Sequence, residues 1–405
     1  MNILCLSELF YPHGSGAELA TYLYAKMLSK NGFNVVVVTN KFNGEPDVSR
    51  NGNLTVFRLP LLKKESSVKY SILPRFDVLL SSFTNKLMKA SDVIYIPRLW
   101  YSAILLARTY GKPVVTHIHD YIPICPLSNL QGQANDAVCS HNGIFCSPKC
   151  IYSYEKEQRR NLKESLASTF LNVSIGRLVP KLIKLSDAII CVSKTQKEII
   201  VTKDRALHNK TYVIHNPFPI FPEDKVNGED FGYFGGYDVM KGLKVLCQAS
   251  CILRNSGYKQ IKIHSTKFET SNKKLISALK RLGFLSYAKL EKEMFENVYS
   301  NIRVVVVPSI WHEPWPYIIV EALLRKRLVI ASRVGGIPEQ TEGCKGAFLF
   351  ESRDYHKLAE LMKFVNELNK EEVVDMGCMN MENFLRKFNN ESSIKKFISL
   401  CESLI

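Results

Sequence analysis

The chain has 405 residues, 46% of them hydrophobic and 10% aromatic, which is more than one hydrophobic core ordinarily supports, so two domains of ordinary size are expected. The composition excludes a disordered or low-complexity chain, and no apolar run approaches the roughly 20 residues of a membrane span. A net charge of +16, from 54 Lys and Arg against 38 Asp and Glu, asks for an anionic partner.

The opening MNILCLSELF has no basic leader region and no small-residue cleavage site, so it reads as a first strand, Asn2 to Ser7, of a cytoplasmic protein. A loop, Glu8 to Gly16 (ELFYPHGSG), leads to a helix from about Ala17 to Asn31 and then to a buried strand, Asn34 to Thr39. This order opens a doubly wound sheet, whose ligands bind beyond the carboxyl ends of the strands. The G-x-G of the loop is not a dinucleotide fingerprint. Its first glycine comes seven positions after the strand, Leu19 holds the third glycine position, and the second strand ends in Thr39 and Asn40 without an acid for a ribose. Gly16 instead suits a loop whose backbone comes close to a phosphate or sugar.

Leu59 to Lys89 and Arg159 to Lys184 carry much of the surplus charge, mixing basic residues with Leu, Ile, Val and Phe. Such stretches either lie on an anionic membrane or pack on the sheet with a solvated basic face. No helix-turn-helix, zinc-finger spacing or RNP-like strand pair is visible, so nucleic acid is not the expected partner. Ala90 to Ile96 and Lys112 to Ile118 continue the sheet, the second ending in His117, His119 and Asp120, where a functional histidine would face the crevice. Cys125, Cys139, Cys146 and Cys150 lie within 26 residues with His141 among them. Without a Cys-x2-Cys pair they leave a structural zinc, a disulfide and free thiols all open. Ser186 to Ser193, a helix from Thr195 to Thr202 and a short strand, Tyr212 to Pro217, lead to a linker marked by Pro217, Pro219 and Pro222.

The second half begins near Asp230 with Phe231 to Phe234, Gly235 and Gly236, and Lys241-Gly242 opens a helix. Gln260 to His264 and Tyr287 to Ser300 continue the alternation to Arg303–Pro308 (RVVVVP), a β-branched run suited to a strand covered on both faces. Next comes WHEPWPYIIVEALLRKRLVIASRVGGIPEQ, Trp311 to Gln340, with a helix from Tyr317 to Arg325 whose basic end, Arg325 to Arg327, suits a helix C-terminus. Glu313 and Glu321 are eight positions apart, about 12 Å at the helical rise. Carboxylates that share one bond-breaking centre are usually about 5–10 Å apart, so this pair suits the two ends of a long ligand. The first-turn N–H groups of Tyr317 and Ile318 would cradle an anion between them. The bland alternative makes Glu313 a helix-entry residue and Glu321 a solvated one. After Phe350 the chain reads as helical to its end.

Trp311–Gln340 resembles the E-x7-E region of family 4 retaining glycosyltransferases: a glutamate, a Pro-aromatic turn, a second glutamate and a Gly-Gly-Ile-Pro-Glu run, here Gly335 to Glu339. The ELFYPHGSG loop resembles that family's Tyr-Pro-x-x-Gly-Gly-x-Glu loop, with Ser15 at the first glycine, and VVTHIHDYIPICP resembles its His-Asp element. The resemblance implies a GT-B fold, α/β, with two doubly wound Rossmann-like domains facing across a cleft. It places an acceptor-side domain over residues 1–220, a nucleotide-sugar domain over 221–385, and a last helix, 386–405, returning to the first domain. It also implies the roles. His119 and Glu313 are catalytic, Glu321 holds the ribose, and Lys241 with the amides of Tyr317 and Ile318 holds the diphosphate. Ser15 and Gly16 line the substrate loop.

Two positions depart from the pattern: Pro316 replaces a glycine and lacks an N–H, and Gly236 replaces an arginine, which removes a bidentate fork. No Asp-x-Asp occurs, so metal-independent transfer is expected, with Lys241 and a helix N-terminus meeting the leaving group's charge. The expected partners are a nucleoside-diphosphate sugar, a glycan or lipid-linked acceptor and an anionic membrane surface. No cofactor is expected beyond the donor. The alternatives are a non-catalytic nucleotide-sugar or glycan binder and a sugar-nucleotide epimerase of the same fold.

Overall fold

β-branched runs separated by amphipathic segments build two parallel sheets, each in its own unit. The computed structural model describes residues 1–60, 81–128, 130, 139, 148–157, 161–221, 228–266, 273–287 and 292–405. Unit one comprises Met1–Pro219 with Asn390–Ile405, and unit two Ile220–Asn389.

In chain order, unit one has β1 (Asn2–Leu6), α1 (Gly16–Lys30), β2 (Asn34–Asn40), β3 (Val48–Asn51), β4 (Leu54–Leu59), α2 (Ser82–Ala90), β5 (Val93–Ile96), α3 (Ala103–Thr109) and β6 (Val114–Ile118). It continues with α4 (Pro148–Glu157), α5 (Leu162–Ile183), β7 (Ala188–Cys191), α6 (Lys194–Lys203) and β8 (Thr211–Val213). The strands run β3-β4-β2-β1-β5-β6-β7-β8, all parallel except the β3–β4 hairpin, with Cys5 of β1 opposite Val37 on one side and Tyr95 on the other. The order reverses between β1 and β5, so their carboxyl ends flank the crevice where an open sheet binds ligands. The β3–β4 hairpin escapes a reading by sequence pattern, because its short strands carry no continuous apolar run.

Unit two has β9 (Asp230–Tyr233), α7 (Leu243–Asn255), β10 (Ile263–Thr266), α8 (Lys273–Arg281), β11 (Phe284–Tyr287), α9 (Lys292–Ser300), β12 (Ile302–Val307) and α10 (Tyr317–Leu324). After them come β13 (Leu328–Ser332), α11 (Ile337–Thr341), β14 (Ala347–Phe350), α12 (Tyr355–Glu367) and α13 (Lys370–Lys387). Its all-parallel order is β11-β10-β9-β12-β13-β14, which reverses between β9 and β12. All six residues of β12 are buried, as its unbroken pattern requires of a strand covered on both faces.

The last helix, α14 (Asn390–Glu402), belongs to unit one. Ile394, Phe397, Leu400 and Cys401, at helical spacing, enter that unit's core, and the Phe397 ring lies 5.1 Å from the rings of Tyr24 and Tyr95. Among the described residues no helix is long and apolar enough to cross a membrane. Most of the Leu59–Lys89 stretch lies outside the described residues, as do Cys146 and His141. Of the other clustered cysteines, Cys125 is buried and Cys139 and Cys150 are half-buried.

Candidate functional site

In unit two the loops leaving the two switch-point strands meet. Beyond β9 the chain makes a single 3-10 turn, Val239–Lys241, capped by the Asp238 side chain, and Gly242 then starts α7 with φ +75°. A Cβ at Gly242 would stand 1.7 Å from the Pro308 carbonyl oxygen, so only glycine lets this turn lie against the exit of β12. The result is a contact between residues 72 positions apart: Lys241 Nζ donates to Glu313 Oε1 at 2.7 Å. Ser309 Oγ donates to the same oxygen at 2.7 Å, and Lys241 Nζ sits 5.1 Å from the centre of the Trp311 ring. Glu313 is buried, and its backbone is fixed too, since its carbonyl accepts the Gly336 N–H at 2.7 Å. Gly335 (φ +54°) makes that approach available, because a Cβ there would be 2.1 Å from the Glu313 carbonyl oxygen. The Gly-Gly run therefore braces the first glutamate.

Pro316 is the N-cap of α10, and Tyr317 and Ile318 are the first two helical residues. The sequence pattern leaves Glu321 either ligand-facing or solvated, and the structure adds an ion pair within the helix. Glu321 accepts from Arg325 Nη1 at 3.2 Å, and Arg325 is itself buried, bonded to Glu296 and 4.1 Å from the centre of the Tyr299 ring. The basic cluster lies at the helix end as expected, Arg325 being the C-cap of α10, and its two arginines are buried there. Arg327 donates to the Arg325 carbonyl at 2.6 Å and is also buried. At Gly236 the backbone is left-handed (φ +63°) with open space where a Cβ would go, so the arginine of the resembled pattern is replaced at a position whose backbone favours glycine.

In unit one, Ser15 caps α1 in a capping box, its N–H donating to Glu18 Oε2 at 2.6 Å. The left-handed glycine of this loop is Gly14 (φ +90°), packed on the Glu18 side chain, and Gly16 is the first residue of the helix. Glu18 bonds Arg98, and Arg98 Nε lies 3.3 Å from the fully buried Glu8 carboxylate. His119 is the first residue after β6. Its Nδ1 is 3.5 Å from Asn216 Nδ2, and its buried Nε2 has no hydrogen-bond partner among the described residues. Burial and then the Arg98 charge push its pKa down to about 3, so the ring is neutral near pH 7. His117 differs: wholly buried, its Nδ1 lies 2.8 Å from the Tyr95 hydroxyl, and it is a core residue.

The structure thus brings Lys241 and Glu313 into contact, links Ser15 to Arg98 through Glu18, and pairs Glu321 with Arg325. Glu8, Arg98, Ser309 and Trp311 are not among the residues singled out by sequence pattern. A signal was there for three of them: Glu8, Arg98 and Ser309 each stand two residues past the end of a switch-point strand, β1, β5 or β12.

Acid should weaken the fold. Burial holds His117 and His119 well below the ordinary 6.5, so the unfolded chain takes up their protons first and stability falls as pH drops from about 6.5. Burial pushes Glu8 up to about 7 from 4.5, which contributes stability at low pH that is lost as pH rises toward 7. Two histidines outweigh one carboxyl, so Tm is expected to fall between pH 6.5 and 5, and Glu8→Gln to steepen the fall. A Tm that rises on acidification contradicts this assignment.

Residues 14–220 match the family model described as Glycosyltransferase Family 4, and residues 228–365 the model described as Glycosyl transferases group 1. A Klebsiella pneumoniae protein described as "Uncharacterized 42.6 kDa protein in cps region" is 24% identical over 358 residues, 84% of this chain and 87% of that one. A subunit of the human phosphatidylinositol N-acetylglucosaminyltransferase is 24% identical over 356 residues, 84% of this chain and 63% of its own length. Among solved structures, sucrose-phosphate synthase from Thermosynechococcus elongatus superposes with a TM-score of 0.70 at 16% identity, covering 100% of this chain and 98% of the other. Anabaena HepE, solved with UDP and glucose, gives 0.63 at 17% identity, covering 99% of each chain.

Proposed function

Since the chain belongs to Glycosyltransferase Family 4 and is a glycosyltransferase of GT-B fold, we propose that it moves a sugar from a nucleoside diphosphate onto an acceptor hydroxyl, with retention at the anomeric carbon. The observation that carries this is the buried Glu313 carboxylate held by Lys241 and Ser309, where β9 and β12 diverge. Lys241 supplies a positive charge for the leaving diphosphate, and the start of α10 adds the amide groups of its first turn. Glu313 binds the hydroxyls of the donor sugar and stabilises positive charge developing on the ring. The neutral His119 positions the sugar, with an Nε2 ready to donate or accept according to tautomer. Ser15 and Gly16 bring the start of α1 to the substrate. Glu321 holds the ribose while Arg325 fixes its orientation.

Donor chemistry of this kind is supported by HepE, a structural neighbour solved with UDP-glucose. Without an Asp-x-Asp pair in the sequence, transfer does not depend on a metal. The acceptor is a glycan, a glycolipid or a growing polysaccharide. The human relative, by its name, acts on phosphatidylinositol. A second reading, a non-catalytic binder of nucleotide sugars, draws on Gly236 and Pro316, which remove a guanidinium and an N–H from the anion cradle. A thermal-shift screen with nucleoside diphosphates and their sugars tests the donor. A ligand at 100 times its Kd should add about 2.7 kcal/mol of stability. Absence of a shift with every nucleotide rejects both readings, and a shift without turnover in any acceptor screen leaves the binder.

A further inference from the structure

Helix α5 is inverted in its N-terminal half. Leu162, Leu166 and Phe170 are 64%, 55% and 78% exposed, whereas Ser165 and Ser168 are 2% and 6% exposed. On this inward side Asn172 Nδ2 donates to the Ser168 hydroxyl at 3.2 Å and to its carbonyl at 2.8 Å, and Thr169 Oγ1 donates to the Ser165 carbonyl at 2.7 Å. The C-terminal half is oriented in the ordinary way, burying Val179, Leu182 and Ile183, so the helix is anchored to its unit while its first turns display their apolar side chains. At about 100° per residue the three exposed apolar residues span about 80° of arc, and Arg177 and Lys181 continue the same stripe. Along the whole helix Lys163, Arg177 and Lys181 face one acid, Glu164.

Single exposed apolar residues are common on any surface. A stripe of three that runs on into basic residues, in a chain of net charge +16, has the composition of an interfacial helix. We propose that this face of α5 seats the protein on an anionic lipid surface, with Leu162, Leu166 and Phe170 among the acyl chains and Lys163, Arg177 and Lys181 at the headgroups. Charge favours this occupant over a second copy, because each copy carries a net charge of +16 and the basic residues beside the stripe are drawn to an anionic surface. The inference goes beyond the donor chemistry and rests on unit one alone.

The test is co-sedimentation of the full chain with phosphatidylcholine vesicles, with and without phosphatidylglycerol. It is run at about 0.05 M and 0.5 M salt, since an electrostatic attachment weakens as the screening length shortens. Binding is expected only with phosphatidylglycerol and to weaken at the higher salt. The double variant L166S/F170S should lower the partition coefficient about tenfold or more, since each apolar side chain contributes through its buried area. R177Q/K181Q should weaken binding and flatten its salt dependence. The substituted side chains are exposed, so both variants should keep the wild-type Tm and its response to nucleoside diphosphates. No binding of the wild type to anionic vesicles at low salt overturns the proposal, as does equal binding by L166S/F170S. A shift of that variant from dimer to monomer overturns it too, assigning the face to a second copy. Failure of the donor reading would appear separately, as a wild-type protein that no nucleotide stabilises.

Discussion

Glu313→Ala is expected to lower kcat by about 10²–10³-fold, the usual effect of removing one preorganised electrostatic group from a transition state. Lys241 and Ser309 both direct hydrogens at one Glu313 oxygen, so alanine removes the charge and the acceptor together. The fold should survive, because the Glu313 contacts that hold the loop run through its backbone: its carbonyl takes the Gly336 N–H whatever the side chain. Nucleoside diphosphates should still raise the Tm of the variant, since Lys241 and the start of α10 remain. Glu313→Gln keeps an acceptor for Ser309 and loses only the charge. If it is as slow as alanine, the charge carries the effect. Product formation by Glu313→Ala within threefold of wild type would remove Glu313 from the chemistry.

The largest stability effect is expected at Gly242. Gly236 and Gly242 both have left-handed backbones, φ +63° and +75°, but a Cβ at Gly236 meets open space, whereas at Gly242 it would lie 1.7 Å from the Pro308 carbonyl oxygen. Gly236→Ala should therefore cost only the left-handed conformation, about 1 kcal/mol. Gly242→Ala adds a backbone overlap that cannot be relieved by a rotamer, for a total of about 3 kcal/mol or more. At about 2–4 °C per kcal/mol for a unit of this size, Tm should fall by about 2–4 °C at Gly236 and by at least about 6 °C at Gly242. Activity should follow the same order, because the Gly242 turn carries Lys241. Equal melting temperatures for the two variants would show that the turn yields and that the close approach to β12 is not required.

Much of the site was legible because it follows strand ends, and strand ends are readable where β-branched runs stop. Val304 to Val307 announce a buried strand, and Glu313 follows in the next loop. His119 stands at the end of β6 in the same way, but the resemblance to the family decided its role and supplied that of Lys241. The arginines were placed at the helix end, where they are, but their burial was not legible, because the pattern Arg325-Lys326-Arg327 is the same whether that end is solvated or packed. Burial of Arg325 and Arg327 depends on Tyr299, Glu296 and the carbonyls that α9 happens to bring there, and these lie more than 20 positions away. The α5 stripe was ambiguous for a related reason. Its period shows that Leu162, Leu166 and Phe170 share a face, but not which way that face turns.

The amino-acid order by itself determined the alternation of strands and helices, the two parallel sheets and the candidate residues at their carboxyl ends, because these depend on local periodicity and on backbone preferences at glycine and proline. Tertiary structure decided which charges from different elements meet. Lys241 reaches Glu313 across 72 positions, and Arg98 joins Glu8 to Glu18 from 80 positions beyond the second, since a salt bridge between elements is specified by a distance in space, whereas only a pair within one helix, such as Glu321 and Arg325, is encoded by spacing.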